Sequence, residues 1–379
     1  MEGLAEYRKE IDRIDKELTS LFEERMNFAL KIAQYKKDNN LAVLQNGRED
    51  EVLERAVSNL KNKDYSDEIK SFLTSTMEIS RSLQNRKISA DTEQQEKEII
   101  REEINFNSKV GFPGVRGSFS EEALLKFFGE DSDSISYDGF EDVFKAIETG
   151  EIEYGMLPIE NSSTGAISDV YDLIQKYGFY IVGEESIKID QHLIGIEGAT
   201  LSEIKEVYSH AQGISQSSEF LKQYEKWALI PFINTATSAK LVRDLGDKSK
   251  AAIASMRAAK IYGLDIIKEG INDQKNNSTR FVVISKAMKV SKDADKVSVV
   301  FSLENEVGFL YNLLRSFAEN NINLIKIESR PIKGDSWKYF LYADFEGTID
   351  RKEAIKALKE LEKDTTYFKL LGSYKNNIH

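Results

Sequence analysis

A run of short polar side chains at residues 158–165 is the segment whose residue types and order most directly suggest chemistry. It reads Pro-Ile-Glu-Asn-Ser-Ser-Thr-Gly, follows an apolar segment that is expected to end at Pro158, and precedes an amphipathic helix pattern. Backbone N–H groups and short donors at the start of a helix bind anions. The same residue types also cap helices and form turns. The pattern therefore allows either an anion site or a helix cap.

Two cations fall on an apolar helix face near the N-terminus. Apolar residues alternate at spacings of four and three and predict a helix on the order of 45 Å long; they are Tyr7, Ile11, Ile14, Leu18, Leu21, Phe28, Ile32 and Tyr35. Arg25 lies on this stripe, and Lys36 shares its face. A buried guanidinium needs an anion, since an unpaired one costs several kcal/mol. Arg8 is rotated by about 100° from Arg25 and is expected to serve another surface, such as a neighbouring subunit's site.

Two further helices are predicted before residue 90. One begins after Gly47 and carries Arg48 and Glu49, and the other places Ser80 and Gln84 on an apolar stripe. Such polar residues can set the register of a coiled-coil bundle, or they can belong to a polar site. The long first helix cannot bury its stripe alone, so a helical bundle or a dimer is expected.

Composition excludes several classes of function. The chain has 379 residues, a net charge of −12, no cysteine and three histidines. Thiolate chemistry and disulfides are therefore impossible, a histidine-rich metal site is not expected, and the charge argues against nucleic acid or an anionic membrane as the main partner. With no signal peptide or bilayer-length apolar run, the chain is expected to be cytoplasmic.

Glycine and proline divide the chain into compositional regions. Only Gly3 and Gly47 precede Gly111, and no proline precedes Pro113, which predicts a helical first region and mixed α/β structure afterwards. A charged segment around residues 85–103 separates the two. From about residue 297 the pattern predicts strand, helix, two strands, helix and strand, a small α+β domain.

Several polar loops in the middle region follow predicted strands. Residues 112–120 read Phe-Pro-Gly-Val-Arg-Gly-Ser-Phe-Ser, and their glycines allow a close backbone approach to an anion. A second loop begins at Ser209 and continues through His210 to Gln212. A third reads Asn-Ser-Thr-Arg-Phe at residues 277–281 and leads into a strand that is predicted to run from Phe281 to Ile284.

Residues 4–88 resemble the all-helical chorismate mutases, which implies an intertwined helical dimer. The matching residues are Arg8, Arg25, Lys36, Arg48, Glu49, Ser80 and Gln84. The resemblance implies that the three arginines clamp the substrate carboxylates. It also implies that Lys36 and Gln84 donate to the ether oxygen, while Glu49 holds the ring hydroxyl with support from Ser80. Gln45 departs from the acidic residue that related mutases often carry.

Residues 108–286 resemble prephenate dehydratases, which implies a two-lobed α/β fold like that of periplasmic binding proteins. The resemblance implies that Thr279 donates to the leaving hydroxyl and that Arg280 binds a carboxylate. It also implies a pocket lined by Asn161, Ser162, Ser209, Gln212 and Gln216. His210 is a rival acid, although a strand-end histidine bonded to backbone is the preferred interpretation.

The last region resembles ACT domains, which bind amino acids. The resemblance rests on Glu328, Ser329, Arg330 and Pro331, and on Gly308, Phe309 and Leu310. It implies a phenylalanine effector site at these residues and a ferredoxin-like fold. Phe309, where related sequences have alanine, could narrow the site or point away from it. A simple dimerisation module is the alternative.

Together these resemblances predict a bifunctional enzyme of phenylalanine biosynthesis. Its expected regions are a mutase domain at 1–90, a charged linker at 91–107, a dehydratase domain at 108–286 and an ACT domain at 296–379. Chorismate, prephenate and phenylalanine are the expected small-molecule partners, no cofactor or metal is expected, and a homodimer or larger homo-oligomer is expected. A ligand-binding regulator without catalysis is the alternative. An NAD-dependent dehydrogenase is disfavoured because no glycine-rich dinucleotide fingerprint follows a strand.

Overall fold

The structure is a computed structural model that describes residues 3–38, 48–90, 103–302, 308–332 and 338–377. The chain divides into two compact units, Met1–Ile99 and Ile100–His379. In the described residues no helix is both long enough and apolar enough to cross a membrane. The predictions about Gln45, and about the linker apart from residues 103–107, concern residues outside those described.

The first unit consists of helices in the part that the structure describes. Its α-helices are α1 (Leu4–Asp38), α2 (Arg48–Asn59) and α3 (Ser66–Ala90). Helix α1 contains neither glycine nor proline, so nothing interrupts its 35 residues. Helix α3 packs against both α1 and α2. The contact with α1 buries Met26, Ala29 and Ala33 and leaves the predicted apolar stripe exposed.

The second unit begins with a lobe built on a six-stranded sheet. Its elements are β1 (Val110–Pro113), α4 (Phe119–Phe128), β2 (Ser134–Tyr137), α5 (Phe140–Thr149), β3 (Tyr154–Asn161), β4 (Gly165–Ala166), α6 (Ser168–Tyr177), β5 (Tyr180–Lys188) and the later strand β11 (Ser278–Ser285). The strand order is β2-β1-β3-β11-β5, with β4 paired to β3. Strands β1, β2 and β3 are parallel, and β11 runs antiparallel to β3 and β5.

A second lobe is inserted between β5 and β11. It contains β6 (His192–Gly195), β7 (Glu206–Ser209), α7 (Ala211–Ser215), α8 (Ser218–Leu221), β8 (Ala228–Pro231), α9 (Thr235–Leu245), β9 (Lys250–Ala254), α10 (Met256–Tyr262) and β10 (Asp265–Lys268). The sheet order is β10-β6-β9-β7-β8. The chain crosses between the lobes twice, at residues 189–191 and 269–277, so a cleft lies between them.

The C-terminal region has the predicted order of strand, helix, two strands, helix and strand. Its elements are β12 (Lys296–Ser302), α11 (Phe309–Glu319), β13 (Leu324–Pro331), β14 (Tyr339–Glu346), α12 (Lys352–Asp364) and β15 (Tyr367–Tyr374). The antiparallel sheet has the order β13-β14-β12-β15. One apolar cluster joins Val300, Tyr342, Leu371 and Tyr374 of this sheet to the core beneath α5 and α6.

Two predicted strand boundaries are wrong. Strand β3 does not end at Pro158 but continues to Asn161. Its pairing with β11 shifts register between Phe281, which faces Pro158, and Arg280, which faces Glu160. The shift accommodates a proline, which has no N–H to donate to the ladder. Strand β11 likewise begins at Ser278, so Thr279 and Arg280 lie inside it.

Gly372 lies at a close approach between β15 and β5. A Cβ atom at this position would lie 1.8 Å from the carbonyl oxygen of Ile181, which is backbone and cannot turn aside. We expect Gly372→Ala to lower the free energy of unfolding by about 3 kcal/mol, since overpacked sites of this kind displace backbone. Urea denaturation followed by tryptophan fluorescence measures this, because Trp227 and Trp337 both belong to the second unit.

Gly139→Ala is the matched control for this prediction. A Cβ atom there would meet only the Oδ2 atom of Asp142 at 3.4 Å, an ordinary contact. Equal urea midpoints for the two variants would contradict a close contact between β15 and β5.

Candidate active sites

Arg25 in the first unit contacts helix α3. Its Nη1 atom donates to the hydroxyl of Ser80 and lies 3.3 Å from the carbonyl oxygen of Thr76. Burial lowers the pKa of the guanidinium. Gln84, one helical turn beyond Ser80, is also buried. The structure therefore brings Arg25, Ser80 and Gln84 to one face of the α1–α3 contact, where polar groups are costly unless they are paired.

The other mutase candidates differ in surroundings. Lys36 is partly buried near the C-terminal end of α1, whereas Arg8 is exposed on its first turns. Arg48 and Glu49 begin α2, and their side chains lie outside what the structure describes. Arg8 and Arg25 both lie on α1.

A cavity of about 420 Å³ lies in the cleft between the two lobes of the second unit. Strand β3 and its loop contribute Asn161 and Thr164, and β11 contributes Thr279. From the other lobe, Gln212 and Gln216 reach the cavity from α7 and its C-terminal end. The structure thus collects five predicted or neighbouring polar residues from elements far apart in the sequence.

Asn161 organises the polar loop of the first lobe. Its Oδ1 accepts from the backbone N–H of Ser163 and Thr164, at 3.0 and 3.2 Å. Its Nδ2 lies 2.8 Å from both the Thr279 hydroxyl and the Asn277 side-chain oxygen. The polar run therefore forms a turn closed by its own asparagine and does not cap α6, whose N-cap residue, Ile167, makes no side-chain cap bond.

Two glutamines join this loop to the second lobe. Gln212 Nε2 donates to the Thr164 hydroxyl at 3.0 Å, and Gln216 Nε2 lies 3.4 Å from the Ser163 hydroxyl. Both bonds cross the cleft. The cavity is therefore closed on one side by hydrogen bonds that a lobe opening would break.

Two serines expected in the pocket do not line it. The Ser209 hydroxyl is fully buried and donates to the carbonyl of Ile253 at 2.8 Å, so it ties the end of β7 to β9. Ser162 accepts from the backbone N–H of Ser278 at 3.0 Å and supports the loop. Neither residue belongs to the cavity lining.

Arg280 does not reach the cavity. Side chains alternate along a strand, so Thr279 faces the cleft while Arg280 points to the opposite face of the sheet. There its Nε and Nη1 atoms lie 2.7 Å from carboxylate oxygens of Glu184 and Asp344. A direct contact between Arg280 and a substrate carboxylate is therefore a prediction that this structure contradicts.

Helix N-termini replace cationic side chains at the cavity wall. Among the lining residues that the structure describes, none is lysine or arginine. Ser118 and Phe119 at the start of α4, and Asn234 and Thr235 at the start of α9, line the cavity from opposite lobes. The first N–H groups of a helix have no intrahelical partner and carry a partial positive charge. Both helices are therefore positioned to receive an anionic ligand.

Gln191 also lines the cavity, although no sequence pattern pointed to it. It lies in the crossing between β5 and β6, is 2% exposed, and its Oε1 has no hydrogen-bond partner among the described residues. His210 also lines the cavity, and its Nδ1 accepts from the backbone N–H of Gln212 at 3.3 Å, as preferred for a strand-end histidine.

The predicted effector residues lie at one end of the C-terminal sheet. Strand β13 carries Glu328, Ser329, Arg330 and Pro331, while Gly308 is the N-cap of α11 with φ of 83° and precedes Phe309 and Leu310. Arg330 Nη2 is 3.6 Å from the carboxylate of Asp172 in α6. Within the described residues, no group of acidic, histidine or cysteine side chains is arranged to hold a metal ion.

Three family models match the chain in order. Chorismate mutase type II covers residues 7–85, prephenate dehydratase covers 110–289, and the ACT domain covers 297–363. These matches agree with the helical first unit, the two-lobed region and the four-stranded C-terminal sheet.

Solved structures share the fold of the second unit. A prephenate dehydratase from Arthrobacter aurescens, solved in complex with L-Phe, is 29% identical with a TM-score of 0.65, over 71% of this chain and 90% of that one. A protein described as GqqA, a novel type of quorum quenching acylase, is 27% identical with a TM-score of 0.64, over 70% and 97%.

A curated relative matches across both units. The bifunctional chorismate mutase/prephenate dehydratase of Aquifex aeolicus is 34% identical over 99% of this chain and 98% of its own length. A relative of the same description from Escherichia coli is 31% identical over 97% and 95%. The chain therefore belongs to the family of bifunctional chorismate mutase/prephenate dehydratases.

Proposed function

We propose that the cleft of the second unit dehydrates prephenate and that Thr279 polarises the leaving hydroxyl. The observation that carries this is the 2.8 Å bond from Asn161 Nδ2 to the Thr279 hydroxyl at the cavity wall. Because the asparagine donates to the threonine oxygen, the hydroxyl proton is free to point at the substrate. Loss of hydroxide and carbon dioxide leaves an aromatic ring, so one hydrogen bond to the departing oxygen assists a favourable reaction.

The substrate carboxylates are held by the N-termini of α4 and α9. With Arg280 on the far face of the sheet, these two helix starts supply the positive potential of the cavity. Gln212 and Gln216 close the cleft over the substrate, and Ser162 and Ser209 hold the loops in place. His210 remains the rival donor.

The first unit rearranges chorismate to prephenate. This reaction needs no proton transfer, so the protein has to hold the folded conformer and stabilise negative charge on the ether oxygen. Arg8, Arg25 and Arg48 clamp the carboxylates, Lys36 and Gln84 donate to the ether oxygen, and Glu49 and Ser80 support the ring hydroxyl.

The mutase works as a homodimer. Along α1 the apolar stripe remains exposed, with Ile11 at 57% and Leu21 at 62%. A contiguous apolar face of this length indicates a protein interface, and a second copy of α1 offers the matching heptad spacing. Arg8 then contributes to the neighbouring subunit's site.

The regions at 1–90, 108–286 and 296–379 act as mutase, dehydratase and phenylalanine-responsive domains in the cytoplasm, and residues 91–107 link the first two. Feedback requires phenylalanine to bind the less active state better, and a coupling of about 1–3 kcal/mol suffices. The L-Phe complex of the Arthrobacter aurescens relative supports this choice of effector.

Removing either cation on the apolar face of α1, Arg25 or Lys36, tests the mutase site. We expect Arg25→Ala and Lys36→Ala to lower mutase turnover by about 10³-fold, since each removes charge stabilisation in the transition state. Dehydratase turnover on supplied prephenate should stay unchanged. Circular dichroism and sedimentation velocity serve as controls for folding and dimerisation. Wild-type mutase rates in both variants would show that the site lies elsewhere.

Thr279→Ala tests the dehydratase site. We expect kcat for prephenate to fall by about 10²-fold or more, because the donor to the leaving hydroxyl is lost, and prephenate should accumulate from chorismate. Thr279→Ser keeps the hydroxyl and should retain most of the activity. Full activity in Thr279→Ala together with an inactive His210→Ala would transfer the role to His210.

Calorimetric titration of phenylalanine into the full chain tests the effector site. We expect binding and inhibition of dehydratase activity. Ser329→Trp is a bulky change at an exposed position of β13. It should raise the Kd for phenylalanine by about tenfold or more, which corresponds to a loss of ~1.4 kcal/mol of binding free energy. Lys352→Trp on exposed α12 is the control. Unchanged affinity in Ser329→Trp would remove the site from this strand, and Phe309→Ala reports whether that ring limits the pocket.

A further inference from the structure

A cluster of six charged side chains lies on the face of the first-lobe sheet opposite the cavity. We call it the interdomain ion cluster; it consists of Glu160, Glu184, Arg280, Lys296, Lys326 and Asp344. Three of its members belong to β3, β5 and β11, and three belong to β12, β13 and β14 of the C-terminal sheet. The cluster therefore bridges the dehydratase and ACT regions.

Arg280 is the centre of the cluster. Its guanidinium contacts Glu184 and Asp344 at 2.7 Å and the hydroxyl of Tyr374 at 3.1 Å. Lys296 lies 2.9 Å from both carboxylate oxygens of Glu184, and both of these side chains are fully buried. Such a group of charges is stable only when every member is paired.

Two cross-strand pairs face each other across the domain boundary. Glu160 and Arg280 are neighbours in the β3–β11 ladder, and Lys326 and Asp344 are neighbours in the β13–β14 ladder. Lys326 lies 2.6 Å from Glu160, and Asp344 lies 2.7 Å from Arg280. Each pair thus holds its counterpart through one short ion pair per residue.

The pair formed by Glu160 and Arg280 is next to the pair formed by Asn161 and Thr279 in the β3–β11 ladder. Asn161 and Thr279 are directly opposite in the ladder, one residue along from Glu160 and Arg280. Adjacent residues share a peptide plane, and their side chains leave the sheet on opposite faces. A movement of Arg280 or Glu160 therefore moves the backbone that carries Thr279 and Asn161.

We propose that the interdomain ion cluster makes Glu160 and Arg280 positioning residues, through which the ACT region sets the placement of Asn161 and Thr279. Lys326 is two residues before Glu328 on β13, the strand that carries the expected effector residues. A shift of β13 and β14 on effector binding is passed through Lys326 and Asp344 to the catalytic strands. The part of this proposal that concerns the effector rests on the proposed phenylalanine response, whereas the positioning of Asn161 and Thr279 by the cluster does not.

The geometry of the cluster suits this task. Ion pairs of fixed geometry tolerate few arrangements, and packed interfaces switch between discrete states instead of deforming smoothly. The Coulomb field of Arg280 and Lys296 outweighs the opposing effect of burial and keeps the pKa of Asp344 below its usual value. Asp344 therefore stays a carboxylate, and Arg280 cannot move away from it without breaking this ion pair.

Three variants of the full-length chain test the proposal. Asp344→Asn removes one charge at nearly constant shape, and Lys326→Met removes a mostly buried cation while leaving Glu160 within 3.8 Å of Arg280. Tyr367→Phe is the matched control, because it deletes a different hydrogen bond between the two regions, from the Tyr367 hydroxyl to Gln175 at 3.2 Å. Circular dichroism and tryptophan fluorescence report on folding, since Trp227 lies in the second unit, as the three variants do.

Dehydratase kinetics are measured first without effector. We expect kcat to fall by about tenfold in Asp344→Asn and Lys326→Met with KM changed by no more than about threefold, since misplacing a catalytic group lowers turnover without removing a substrate contact. Tyr367→Phe should stay within about twofold of the wild type. Loss of folded protein in Asp344→Asn leaves the decision to Lys326→Met.

Phenylalanine at calorimetric saturation is added next. The two cluster variants should retain a larger fraction of their own uninhibited rate than the wild type does. The reason is that effector binding no longer changes the positions of β3 and β11. Wild-type kcat and wild-type inhibition in Lys326→Met would overturn the proposal, as would an equal loss of kcat in Tyr367→Phe. A wild type that neither binds phenylalanine nor responds to it refutes the effector, and the kcat comparison then decides the positioning role alone.

Discussion

The placement of Thr279 and Arg280 on opposite faces of β11 is the constraint on which the second unit depends. Thr279 completes the cavity wall with Asn161, while Arg280 enters a buried set of carboxylates on the other side. Because the two residues share a peptide bond, neither face can be rearranged alone. The strand lines the cleft on one face and contacts the C-terminal sheet on the other.

The architecture was largely predictable from the spacing of apolar residues and from the positions of glycine and proline. The four-three spacing of apolar residues predicted α1, and the order of elements after residue 297 predicted the C-terminal sheet. Both signals are local, since they depend on side chains a few residues apart. The exposed stripe of α1 also follows from the sequence, because among the described residues of its own unit no other helix is as long as α1.

The role of Arg280 was not predictable for a specific reason. With the strand expected to begin at Phe281, Thr279 and Arg280 stood in a loop, where neighbouring side chains can point the same way. The actual start at Ser278 imposes alternation and turns Arg280 away. Gln191 and the bonds from Gln212 and Gln216 depend on how two lobes meet, which no local pattern encodes.

The apolar cluster that Val300, Tyr342, Leu371 and Tyr374 share with the core of the first lobe has a consequence for the evolution of this chain. A module that is attached by a flexible tether can be gained, lost or exchanged between genes without harm to its neighbour. Here the C-terminal sheet supplies part of the interior that covers Val170 and Tyr171, so its loss would leave that interior open to water. Recombination at this boundary would have to replace the missing surface at the same time, which favours inheritance of the two regions as one piece.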